Sequence, residues 1–143
     1  MKVLVLNGPN LGRLDIRDSK HYGDLNWEQL KSLIAKGASD LGFEADIRQS
    51  DDEATIVGWL HEAADKNHPV IINPAAFTHY SVAIHDAAEM VKSPLIEVHL
   101  SNPMSREEFR HTSVISGVAK GTIAGFGPNS YLLALNALKS LLG

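Results

Sequence analysis

The chain has 143 residues, 44 % of them hydrophobic and 21 % charged, which predicts one globular domain over 1–143 and excludes a disordered chain. Thirteen basic and seventeen acidic residues leave a formal charge of −4, without the basic surface of a general nucleic-acid binder. The absence of cysteine removes disulfides, cysteine-ligated zinc, iron–sulfur clusters and thiol nucleophiles, and fits a reducing cytosol.

Val3, Leu4, Val5 and Leu6 form a continuous apolar run that stops at Asn7-Gly8-Pro9-Asn10. It reads as a strand buried on both faces and ending in a turn. The run is too short for a secretory signal, and no run approaches the roughly 20 apolar residues of a membrane span. A cytoplasmic protein is therefore expected. Residues 11–24 have no clean periodicity and many charges; they read as a loop, long enough to suggest a functional lid. Asn26 then caps a helix carrying Trp27, Leu30, Leu33, Ile34 and Leu41 at helical spacing, which Gly42 ends. Residues 43–49 alternate as a half-exposed edge strand. Residues 53–66 form a second helix, with Ile56, Val57, Leu60, Ala63 and Ala64 on one face. Val70, Ile71 and Ile72 make a buried strand ending at Asn73-Pro74. A third helix over 81–91 is expected to bury Val82, Ile84, Ala88 and Val91. Residues 95–100 form a strand, 122–125 a last short strand, and 131–142 a closing helix.

Alternation of strands and helices predicts parallel strands joined by right-handed crossovers. Five strands at this length predict an α/β, flavodoxin-like doubly wound sheet with helices on both faces, whose ligand site lies beyond the carboxyl ends of the strands. All four of the first strand exits are polar, and two carry histidine. Glu97 and His99, two apart in a strand, share a face, so the carboxylate can orient the imidazole as an acid; the alternative is a polar sheet end with a solvated glutamate. His79 reads first as a cap or structural residue, and secondarily as a ligand group at the start of the third helix. Asp86, seven residues on, can share a helix face with it if the helix has already begun; alone it is a solvated charge. Arg17 and Tyr22 read by default as surface residues of the long loop. The run Arg106, Glu107, Glu108, Arg110 reads as a solvated turn with local ion pairs.

No phosphate-cradling loop, dinucleotide fingerprint, nucleophile elbow or histidine metal motif is present. A phosphoacceptor receiver would need acidic residues where the chain has Asn73 and Asn7-Gly8-Pro9-Asn10. A flavin module would need N–H donors where Pro9 has none.

Seven segments in order, LNGPNLGRL at 6–14, Arg17 to Tyr22-Gly23, RQSDDEA at 48–54, INPAAFTH at 72–79, IEVHLSN at 96–102, REEFRH at 106–111 and GFGPNSYLLAL at 125–135, resemble the type II 3-dehydroquinate dehydratases of the shikimate pathway. The resemblance covers essentially the whole chain. It implies a hydro-lyase that converts 3-dehydroquinate to 3-dehydroshikimate by anti elimination through an enolate, with no metal, cofactor or Schiff base. By the same resemblance Tyr22 matches the base, Arg17 the arginine that keeps it anionic, His99 the acid, Glu97 its orienting carboxylate, and Asn10 a holder of an ordered water. Asn73, His79, Asp86, Leu100, Ser101 and Arg110 match substrate-binding positions. The family also implies trimers assembled into a homododecamer, with a neighbour's acidic residue near each site. Ionising a free phenol at pH 7 costs about 4 kcal/mol, and one arginine charge about 4 Å away supplies about that much at an effective dielectric of ~20. The chain has Asp15 where the family often has Gly, Ser19 where it often has Pro, and Ala75 where Gly is common. A binding-only relative would keep the fold without the turnover.

Overall fold

A computed structural model describes residues 1–22 and 24–143. Five strands pair in parallel: β1 (Lys2–Asn7), β2 (Glu44–Gln49), β3 (Val70–Asn73), β4 (Leu95–His99) and β5 (Gly121–Ala124), in the order β2-β1-β3-β4-β5. This is the doubly wound order expected from the sequence. The apolar run of β1 is continuous because both its faces are covered. Val3 and Val5 pack with Leu30, Ile34, Leu135 and Leu138 on one side, and Leu4 and Leu6 with Ile56, Leu60 and Ile84 on the other. Helices α2 (Trp27–Asp40) and α5 (Asn129–Leu142) thus cover one face, and α3 (Glu53–Lys66) and α4 (Val82–Glu89) the other. No helix among the described residues is long and apolar enough to cross a membrane.

Local chemistry sets the boundaries. Asn26 caps α2 in a reciprocal box with Gln29, satisfying two otherwise orphan donors. The edge strand β2 is half-exposed as expected. The third helix is shorter than 81–91. Ser81 is its cap, accepting from the Ile84 amide, and the helix runs Val82–Glu89. That register turns Val82 to solvent, 61 % exposed, and buries Ala87 instead. The last strand and helix begin one and two residues before their predicted starts.

The largest correction is at 11–24, which is not structureless. A 3-10 segment Leu11–Ile16 is followed by a one-turn helix, α1 (Ser19–Tyr22). Leu11 and Leu14 are buried in the core beside α2, so apolar anchors interrupted a charged stretch too irregular to read as periodic. Gly23, in the expected lid, lies outside the described residues.

The exits of β1 and β3 touch through backbone. The Gly8 amide donates to the Asn73 carbonyl at 2.8 Å, and a Cβ on Gly8 would stand 2.5 Å from the Pro74 carbonyl oxygen. Gly8→Ala is therefore expected to cost about 1–3 kcal/mol through overpacking, read as a fall of several degrees in Tm.

Candidate active site

The carboxyl ends of the strands open into a cleft of about 110 Å³. Of the residues singled out in the sequence, Asn10, Arg17, Tyr22, Asn73, His79, His99, Leu100, Ser101 and Arg110 line it. Of the residues that the resemblance matched to the site, two do not. Glu97 is fully buried behind His99, and Asp86 lies on α4, where its exposed carboxylate meets the His85 ring at 2.9 Å. The reading in which His79 and Asp86 share a helix face fails for a local reason. His79 ends a separate 3-10 segment, Ala75–His79, and Tyr80 and Ser81 leave helical geometry before α4 begins. His79 is instead held by its Nδ1, 2.8 Å from the Thr112 carbonyl.

Each strand exit contributes through its own turn. Asn10 adopts a left-handed conformation, φ 71°, and its amide donates to Asp51 Oδ1 at 2.9 Å, tying the β1 exit to the β2 exit. Ala75 also sits at φ 53°, a conformation that strains a residue with a Cβ. Its amide donates to Asn73 Oδ1 at 3.1 Å. Beneath the cleft, the fully buried Tyr131 hydroxyl bridges Asn7 and Asn73. Burial pushes that phenol far above its ordinary range, with the Asn73 hydrogen bond opposing.

The β4 end holds the His99–Glu97 pair. His99 Nε2 lies 2.5 Å from Glu97 Oε2. The same carboxylate accepts from Thr78 Oγ1 and Ser116 Oγ, each at 2.5 Å, and from Ser113 Oγ at 3.1 Å. Burial alone would push the Glu97 carboxyl up; the hydrogen bond and charge of His99, then the hydroxyls of Ser116 and Thr78, outweigh it and hold the carboxyl below its usual range. A buried carboxylate satisfied on both oxygens stays ionised and locks the imidazole in one orientation.

In the same cleft Tyr22 is flanked by two arginines. The Arg17 guanidinium stacks on the Tyr22 ring, 3.6 Å from its centroid. It is Arg106 that reaches the hydroxyl, with Nη1 donating at 2.6 Å. Burial pulls the Arg17 guanidinium below its ordinary value; Tyr22 opposes this, and Arg106 and Arg110 add to it. Arg110 is held at 2.5 Å by Glu107, the local pair expected of that run. Arg106 also donates to Ser101 Oγ at 3.3 Å, while its buried Nε has no partner among the described residues, leaving a donor for a bound acceptor. Arg106 was read as solvated. Its backbone is extended between two 3-10 segments, so no local period marked it.

Residues 1–139 match the family model described as Dehydroquinase class II. A 3-dehydroquinate dehydratase of Salinispora tropica is 52 % identical over 138 residues, covering 96 % of each chain. One from Caldicellulosiruptor bescii is 51 % identical over 142 residues, covering 99 % of this chain and 98 % of its own. The solved type II dehydroquinase of Propionibacterium acnes superposes with a TM-score of 0.95 at 48 % identity, covering 97 % of this chain and 96 % of its own.

Proposed function

The chain belongs to the class II dehydroquinase family, and from that premise we propose that it is a 3-dehydroquinate dehydratase of the shikimate pathway working with a tyrosine base and a histidine acid. The observation that carries the reading is one cleft holding both Tyr22, with Arg106 on its hydroxyl and Arg17 on its ring, and His99, backed by the buried Glu97.

Tyr22 as phenolate takes the proton from C2 of 3-dehydroquinate, and the C–H electron pair moves into the enolate. The enolate then collapses to the C1–C2 double bond. The C1–O bond breaks, and His99 supplies the proton that lets the hydroxyl leave as water on the opposite face. Asn10 helps hold an ordered water at the enolate oxygen. Leu100 and Ser101 backbone amides with the Asn73 side chain receive the substrate carboxylate, while His79 and Arg110 meet ring hydroxyls. Such paired polar groups reject ligands that leave them unsatisfied. Residues 15–22 close as a lid hinged behind the buried Leu14, excluding water and strengthening the Arg–Tyr contacts. Asp86, outside the cleft of one chain, binds substrate only when a second copy brings it there. By the family resemblance, that second copy belongs to a trimer within a dodecamer, in a cytoplasmic setting.

The test is the rise in ultraviolet absorbance of the conjugated enone when purified protein meets 3-dehydroquinate. The rise is expected with a chelator present, and from protein that has been incubated with 3-dehydroquinate and borohydride together and then freed of both. A flat trace from folded protein would overturn the activity. Loss under chelator or borohydride would overturn the metal-free, Schiff-base-free route.

A further inference from the structure

Tyr131 lies wholly beneath the cleft and does not line it, yet its hydroxyl joins a hydrogen-bond chain that ends in the cleft. Asn7 Nδ2 donates to the carbonyls of Val5 at 3.3 Å and Arg48 at 3.1 Å, which leaves Asn7 Oδ1 as an acceptor only. The Tyr131 hydroxyl, 2.5 Å from that oxygen, must give it its single proton. Having donated, the hydroxyl can only accept, so the group facing it at 2.9 Å is Asn73 Nδ2. The other end of the Asn73 amide accepts from Ala75. One Nδ2 proton of Asn73 is then without a protein acceptor among the described residues, on a side chain that lines the cleft.

We infer that Tyr131 is a positioning residue: with Asn7 it fixes which end of the Asn73 amide the site presents, so that Asn73 offers a donor and selects ligands carrying an acceptor such as a carboxylate. The inference rests on the reading above in which Asn73 receives the substrate carboxylate. Without the hydroxyl, both orientations of the amide become available, and in the wrong one an oxygen meets the ligand's oxygen.

The experiment compares the wild-type full chain with Tyr131→Phe, Asn7→Ala, Asn73→Ala and the double variant Tyr131→Phe/Asn73→Ala. Steady-state turnover of 3-dehydroquinate is measured alongside calorimetric titration with quinate, which carries the ring and carboxylate but no ketone. Tyr131→Phe is expected to raise KM and the quinate Kd about tenfold while kcat changes less than about threefold. Asn7→Ala frees the hydroxyl to donate towards Asn73 and should give the same split; it serves as the test if Tyr131→Phe does not fold. The double variant should bind no worse than Asn73→Ala, because two residues acting through one contact are not additive. Unchanged KM and quinate affinity in folded Tyr131→Phe, or additive losses in the double variant, would overturn the inference. A wild type that binds quinate but does not dehydrate 3-dehydroquinate would sink the functional reading instead, and the quinate Kd comparison would then decide this one alone.

Discussion

Tyr22→Phe is expected to lower kcat on 3-dehydroquinate by about 10²–10⁴-fold, the range general base catalysis supplies, while leaving KM within a few-fold and the fold intact. The phenylalanine keeps the ring under Arg17 and removes only the oxygen that Arg106 holds. The stacking of Arg17 therefore survives, and the lost function is proton removal. Arg17→Lys should fall between the two, since an ammonium keeps the charge but not the planar face that lies on the ring. Steady-state kinetics on the three proteins checks both statements. A Phe variant retaining more than a tenth of the activity would move the base to another residue.

Glu97→Ala is expected to be the most destabilising single change at the site, about 3–5 kcal/mol by urea unfolding. Removing one partner from a buried ionic pair leaves the other group without compensation, and here Thr78, Ser113 and Ser116 lose their acceptor as well. The pH dependence has a definite sign. The folded-state value of Glu97 lies below its ordinary one because His99, Ser116 and Thr78 outweigh burial. Its contribution is complete above the unfolded value, about 4.3, and is lost as pH falls through the folded value. Unfolding free energy measured from pH 7 down to pH 3 should therefore fall in the acid range, with a smaller slope in Glu97→Gln. Equal slopes in the two proteins would assign acid sensitivity to other carboxylates. The Gln variant should also lose at least tenfold in kcat, since an amide offers the His99 ring a neutral partner in place of the carboxylate that orients it.

What the sequence made legible follows from how locally each feature is determined. The doubly wound sheet could be read because β1 carries side chains for two cores at once, and because Asn26 and Gln29 mark a helix start by their own chemistry. Glu97 and His99 could be paired because strand geometry alone puts them on one face. Residues 11–24 could not be read: Leu11 and Leu14 meet α2 and the sheet through tertiary packing that no local period announces. Val82 looked like core because it is apolar and sits at the start of a helix, but the Ser81 cap sets a register that turns it outward. His79 and Asp86 were separated by a break of two residues that no proline or glycine signalled. Arg106 was hidden by its own charge, since a guanidinium in a charged run gives no sign that it folds back 84 positions to a tyrosine.

The two proton-handling side chains of the proposed mechanism ride on supports of unequal stiffness. His99 closes a strand flanked by β3 and β5, whereas Tyr22 is carried by a single helical turn. Isotopes separate the two. Deuterium at C2 of the substrate slows the step made at Tyr22, and heavy solvent water slows the delivery made at His99. Raising solvent viscosity hinders the lighter support first. The substrate isotope effect should therefore shrink with viscosity, as closure of the proposed lid begins to limit turnover.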